Sequence, residues 1–115
     1  MATQLHTQEA VYAELWTSLA SLLRSYTAAH GIHSGRHATV EMIDEKISAR
    51  HGKKWLILVR KNTLVTWTRE NGSSGSMVLT DHGCLRSPEC EEAMDLTAET
   101  WARDLMRNDA MEQTR

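Results

Sequence analysis

Apolar residues recur at spacings of three and four from Val11 through Leu15, Leu19 and Leu22 to Tyr26, with Tyr12, Trp16 and Leu23 widening the stripe. That period predicts an amphipathic helix over residues 7–30. Thr7 is placed to cap its N-terminus, Glu9 falls in its first turn, and Gly31 stands where a C′ glycine belongs. Past a connector at residues 32–36 the period changes to two. Ala38, Val40 and Met42 alternate with Thr39 and Glu41, after which Ile43, Ile47 and Ala49 continue on the other parity. A parity switch calls for a bulge or a turn near Asp44-Glu45, and hence for one bent strand or two short ones. His51-Gly52 then turns the chain again.

The stretch from Lys53 to Arg69 holds the clearest β signal. Trp55-Leu56-Ile57-Leu58-Val59 is a continuous apolar run, and Leu64-Val65-Thr66-Trp67-Thr68 follows after a short polar break containing Asn62. Two such runs around a tight turn read as an antiparallel hairpin. With a two-residue turn, Leu56, Leu58, Val65 and Trp67 share one face. Trp55, Ile57, Val59 and Leu64 share the other, which grades into Thr66 and Thr68. A three-residue loop would swap this pairing. A ribbon apolar on both faces needs cover on both.

Asn71 to Gly75 reads as a flexible loop, Ser76 to Thr80 as a strand, and Cys84 to Arg86 as an edge extension of the sheet. Ser87-Pro88-Glu89 has the form of a helix start and predicts a short helix to Met94, with a strand through Met94 and Leu96 as the alternative. Thr97 is then expected to cap a last helix from Ala98 to Asn108, with Trp101 and Leu105 inward and Leu96 stapled to Trp101. Residues 109–115 read as a frayed tail. The pattern as a whole predicts one α+β domain over residues 1–115. It comprises a long N-terminal helix, an antiparallel meander of four or five strands, and a C-terminal helix packed on the sheet.

Composition changes this picture little. The chain has 115 residues, no Phe, four Trp and six Met, and a net charge of −2. No stretch approaches the ~18 apolar residues of a membrane-spanning helix, and the N-terminus lacks a secretory pattern, so a soluble cytoplasmic protein with no membrane partner is expected. Cys84 and Cys90 are expected to be free thiols there. The charge distribution says more. Residues 46–69 hold seven basic side chains and no acid, whereas residues from 70 onward hold ten acids against four bases.

Several constellations could carry chemistry. His30, His33 and His37 have a spacing at which imidazoles could hold Zn²⁺, Ni²⁺ or Cu²⁺, but glycines at 31 and 35 leave their geometry open. His82, Cys84 and Cys90 could offer a second such set. Asp44-Glu45 and Glu89, Glu91 and Glu92 are paired carboxylates without any sign of a pocket to perturb them. No nucleophile elbow, phosphate loop or dinucleotide fingerprint occurs. The sequence therefore points away from an enzyme and implies no cofactor. Lys53, Lys54, Arg60, Lys61 and Arg69, interleaved with Trp55 and Trp67, could bind single-stranded nucleic acid by phosphate contact and stacking. The overall acidity weighs against that. The remaining signal is the second apolar face of the hairpin. It predicts a non-catalytic interaction module in which Trp55, Ile57, Val59 and Leu64 anchor a homodimer or a protein partner.

Overall fold

The computed structural model describes residues 2–32 and 35–107, with side chains from Gln8. The N-terminal helix α1 spans Ala2–Gly31. Seven strands follow: β1 Thr39–Ile43, β2 Lys46–His51, β3 Lys54–Lys61, β4 Leu64–Arg69, β5 Ser74–Leu79, β6 Cys84–Arg86 and β7 Glu91–Ala93. Helix α2, Met94–Met106, closes the described chain. The strands form one antiparallel meander in sequence order. The fold class is thus the expected α+β. The sheet has seven strands where the hydrophobic pattern had indicated four or five.

Three two-residue turns build the first half of the sheet. The registers Ile43↔Lys46, His51↔Lys54 and Lys61↔Leu64 leave Asp44-Glu45, Gly52-Lys53 and Asn62-Thr63 as the connections. Each opens on a residue at positive φ: Asp44 at 54°, Gly52 at 62° and Asn62 at 57°. Asp, Gly and Asn are the residue types that enter this region at least cost. The parity switch near Asp44 is therefore a turn between two strands. The Lys61-to-Leu64 connection yields the face assignment of the two-residue alternative, with Leu58 opposite Trp67 and Arg60 opposite Val65.

Both helices lie on the same face of the sheet. That face contributes Ile47, Ala49, Leu56, Leu58, Val65, Leu79 and Leu85, all buried. Against them α1 sets Trp16, Leu19, Ala20 and Leu23, and α2 sets Ala98, Trp101 and Leu105. The buried line of α1 runs through Trp16, Leu19, Leu23 and Thr27, along one flank of the expected stripe, while Val11, Leu15, Leu22 and Tyr26 are only half-buried. Thr27 tolerates burial because its hydroxyl donates to the Leu23 carbonyl at 2.7 Å.

Several boundaries differ from the sequence expectation. Helix α1 begins at Ala2, so Thr7 is inside it and does not cap it. Gly31 is the last helical residue, and its place has a steric cause: a Cβ there would run into the Arg36 carbonyl oxygen. Strand β5 starts at Ser74, inside the expected loop. The short helix expected from Ser87 is absent. Ser87 to Cys90 instead form a turn, closed by the Ser87 amide on the Cys90 carbonyl at 2.8 Å, and Glu91–Ala93 pair with β6 as strand β7. Proline after a hydroxyl residue is as good a turn opening as a helix start, and here the turn wins. Helix α2 then begins at Met94. Thr97 is buried in its first turn with its hydroxyl on Glu92 at 2.7 Å, and Leu96 is exposed, so neither the cap nor the staple forms. The tail at 109–115 lies outside the described residues.

The far end of α2 is held by side chains from elsewhere in the fold. The last carbonyls of a helix lack intrahelical donors and carry partial negative charge. Here Lys54 Nζ donates to the Asp104 carbonyl at 2.6 Å, and Arg36 donates to that of Met106 at 2.7 Å. His51 Nδ1 lies 3.1 Å from the carbonyl of Leu105. Residues from the connector, β2 and β3 thereby fix α2 over the sheet.

Candidate binding face

The face of the sheet turned away from the helices is the candidate site. Strand alternation puts Trp55, Ile57, Val59 and Lys61 of β3 on it, beside Lys46, Ser48 and Arg50 of β2 and Leu64, Thr66 and Thr68 of β4. Rows of neighbours cross it at fixed levels. One row reads Ile43, Lys46, Val59, Thr66, Ser76; the next reads Glu41, Ser48, Ile57, Thr68, Ser74. The apolar ridge therefore follows β3, flanked by cations on the β2 side and hydroxyls on the β4 and β5 side.

Among the described residues no element covers this ridge. Trp55 and Ile57 are half-buried, and Val59, Leu64 and Ile43 are 41, 44 and 67 % exposed. Their chain neighbours Leu56 and Leu58, on the helix side, are 3 and 0 % exposed. Two shallow grooves flank the ridge. One runs past Ile43, Lys46, Ser48, Arg50 and Val59; the other runs past Leu64, Ser76, Val78, Arg86 and Pro88. The four anchors expected from sequence thus fall on one open surface.

The five basic residues expected to bind nucleic acid do not stay together. Lys54, Arg60 and Arg69 alternate onto the helix side of the sheet, while Lys61 is on the open face and Lys53 is in a turn. Arg69 pairs with the Asp104 carboxylate at 3.2 Å and lies 5.7 Å from the centre of the Trp67 ring. Arg60 is the most committed of them. Its side chain is 2 % exposed and donates to Glu45 at 2.7 Å, to Glu9 at 3.1 Å and to the Asn62 carbonyl at 3.0 Å. Burial opposes its charge, but the hydrogen bonds to Glu9 and Glu45 outweigh that and hold its pKa above the ordinary value. Nothing in the sequence marked Arg60 as the clasp between α1, the Asp44-Glu45 turn and the Asn62-Thr63 turn. The partner acids come from distant positions with no shared period.

The histidine set is similarly dispersed. His30 Nε2 lies 2.8 Å from a Glu99 carboxylate oxygen, joining α1 to α2; His37 is exposed, and His33 lies outside the described residues. Among the described residues, no three His, Cys, Asp or Glu side chains converge as metal ligands would. Cys84 and Cys90 are both free, the first half-buried and the second exposed.

No helix among the described residues is long and apolar enough to cross a membrane. Comparison with known protein families, curated proteins and solved structures finds no match to this chain.

Proposed function

We propose that this protein is a non-catalytic interaction module that associates with itself through the open face of its sheet, with Trp55, Ile57, Val59 and Leu64 as anchors. One observation carries the reading: β3 is apolar on both faces, and the described chain shelters only one. A continuous ridge of an aromatic and three aliphatic side chains, rimmed by Lys, Arg, Ser and Thr, has the make-up of a recognition surface. Symmetric pairing of like faces is the commonest way such a surface is covered. Nucleic-acid binding draws less support, because three of the five cations it needs are turned to the helices and engaged there. Two free thiols fit action in the reducing cytoplasm.

Sedimentation equilibrium of the whole chain over a wide concentration range tests the reading. The apparent mass is expected to rise from the 13.0 kDa monomer towards twice that value. A strictly monomeric protein at the highest concentrations would remove self-association.

A further inference from the structure

We infer that the second copy docks about a two-fold axis running along β3, in the plane between the two sheets, so that β2 of each copy lies over β4 of the other. This rests on the self-association proposed above and adds its geometry. Face-to-face sheets with nearly aligned strands can be related by an in-plane axis along the strands or by one across them. An axis along β3 keeps every residue row at its own level and exchanges the two flanks. An axis across the strands keeps the flanks and reverses the levels.

The charges on the open face separate the two. Strand β2 presents Lys46, Ser48 and Arg50, and no acid. With the axis across the strands at the Ser48–Ile57 row, the middle of the face, Lys46 would face the partner's Arg50 and Arg50 the partner's Lys46. Four cations would then lose water against one another, an arrangement that strongly opposes association. With the axis along β3 the same cations meet different company. Lys46 lies over the partner's Thr66, which shares its row across Val59. Ser48 lies over the partner's Thr68, which shares its row across Ile57. Arg50 shares its level with Trp55, and one step past the end of β4 Glu70 occupies that level on the other flank, its carboxylate accepting the Trp55 amide at 3.0 Å. Each Arg50 is therefore brought to a partner's Glu70, once on either side of the axis. Down the middle, Val59 stacks on the partner's Val59 and Ile57 on the partner's Ile57, apolar on apolar. At the strand's end Lys61 meets the partner's Lys61, one like-charge pair at the rim, where long side chains reach water, against two across the face for the other axis.

The footprint is consistent with a reversible dimer. Five strands of about 20 Å at a spacing of about 4.8 Å give a flat area of roughly 500 Å² per copy, near the lower bound for a specific interface once both copies are counted. Sheet twist makes the rows diverge away from the axis, so the closest contacts are those over β2, β3 and β4.

Cysteine cross-linking in a Cys84→Ser, Cys90→Ser background reads the geometry, using a bismaleimide whose reach matches the ~10 Å between packed sheets. A Ser48→Cys protein mixed with a Thr68→Cys protein is expected to give covalent dimer several-fold above either protein alone, and Val59→Cys is expected to cross-link by itself. Covalent dimer from Ser48→Cys alone, with nothing added by mixing, would overturn the axis along β3. So would the absence of any cross-link in a protein that sediments as a dimer. A wild-type protein that sediments only as a monomer would instead overturn the underlying self-association, which keeps the two failures distinct.

Discussion

Leu58→Ala is expected to lower the stability of the fold by about 3–4 kcal/mol, while Ile57→Ala, one residue earlier on the same strand, costs about 1 kcal/mol or less in dilute solution. The difference comes from which way each side chain points. Leu58 is fully buried between Ile47 and Trp67 of the neighbouring strands and beneath the helices. Truncating it removes apolar contacts and leaves a cavity that the two flanking hairpins have little freedom to fill. Ile57 sits between Ser48 and Thr68 on the open face, so its truncation exposes little that is not already wet. Urea unfolding of both variants at low micromolar concentration measures the contrast. Equal losses at the two positions would mean that both faces of β3 are sheltered within one molecule, which is incompatible with the open face described here.

Ile57→Lys is expected to do the reverse: to leave the monomer's melting nearly unchanged and to weaken self-association by roughly a hundredfold or more. Placed near the two-fold axis, the substitution enters the interface twice, and two ammonium groups would lose water beside each other with only the hydroxyls of Ser48 and Thr68 as adjacent row neighbours. A desolvated, unpaired charge costs several kcal/mol, and each 1.4 kcal/mol is a factor of ten in affinity. Ser18→Lys, on the exposed side of α1, supplies the control and is expected to leave the sedimentation curve where it was. If both variants dimerise as the wild type does, the contact surface is elsewhere.

Much of this surface is legible in the sequence alone. The hairpin followed from two β-rich runs around Asn62, and the two-residue turn then decided which side chains share a face. What alternation could not tell is which face the helices cover, because Leu56 and Leu58 are no more apolar than Trp55 and Ile57. The decision comes from across the ladder. Ile47, Val65 and Leu79 extend the first set into a broad apolar layer, whereas Ser48, Thr66 and Ser76 interrupt the second. That contrast becomes visible only when all registers are known.

The misread stretches share one cause. Ser87-Pro88-Glu89 carries local chemistry that serves a turn and a helix start equally, and pairing with β6 settles it. The start of α2 was displaced for the same reason, since Met94 enters the helix directly from β7, its amide donating to the Gly83 carbonyl at 3.0 Å. The basic run at 46–69 looked like one patch because linear sequence hides alternation. On β3 and β4, Lys54, Arg60 and Arg69 leave on the helix side and Lys61 on the open face, and those on the helix side meet Glu9, Glu45 and Asp104. Charge that is contiguous in the sequence holds α1 and α2 in place in the fold.

The most direct test of the open face as the contact surface is a methyl NMR titration of the wild-type protein, labelled at its Ile, Leu and Val methyls, against its own concentration. The methyl signals of Ile57, Val59 and Leu64 are expected to shift together as concentration rises, while those of Leu58, Val65 and Leu79 on the helix side stay still. Constant positions for the first set up to the solubility limit, or movement confined to the second, would contradict association through this face.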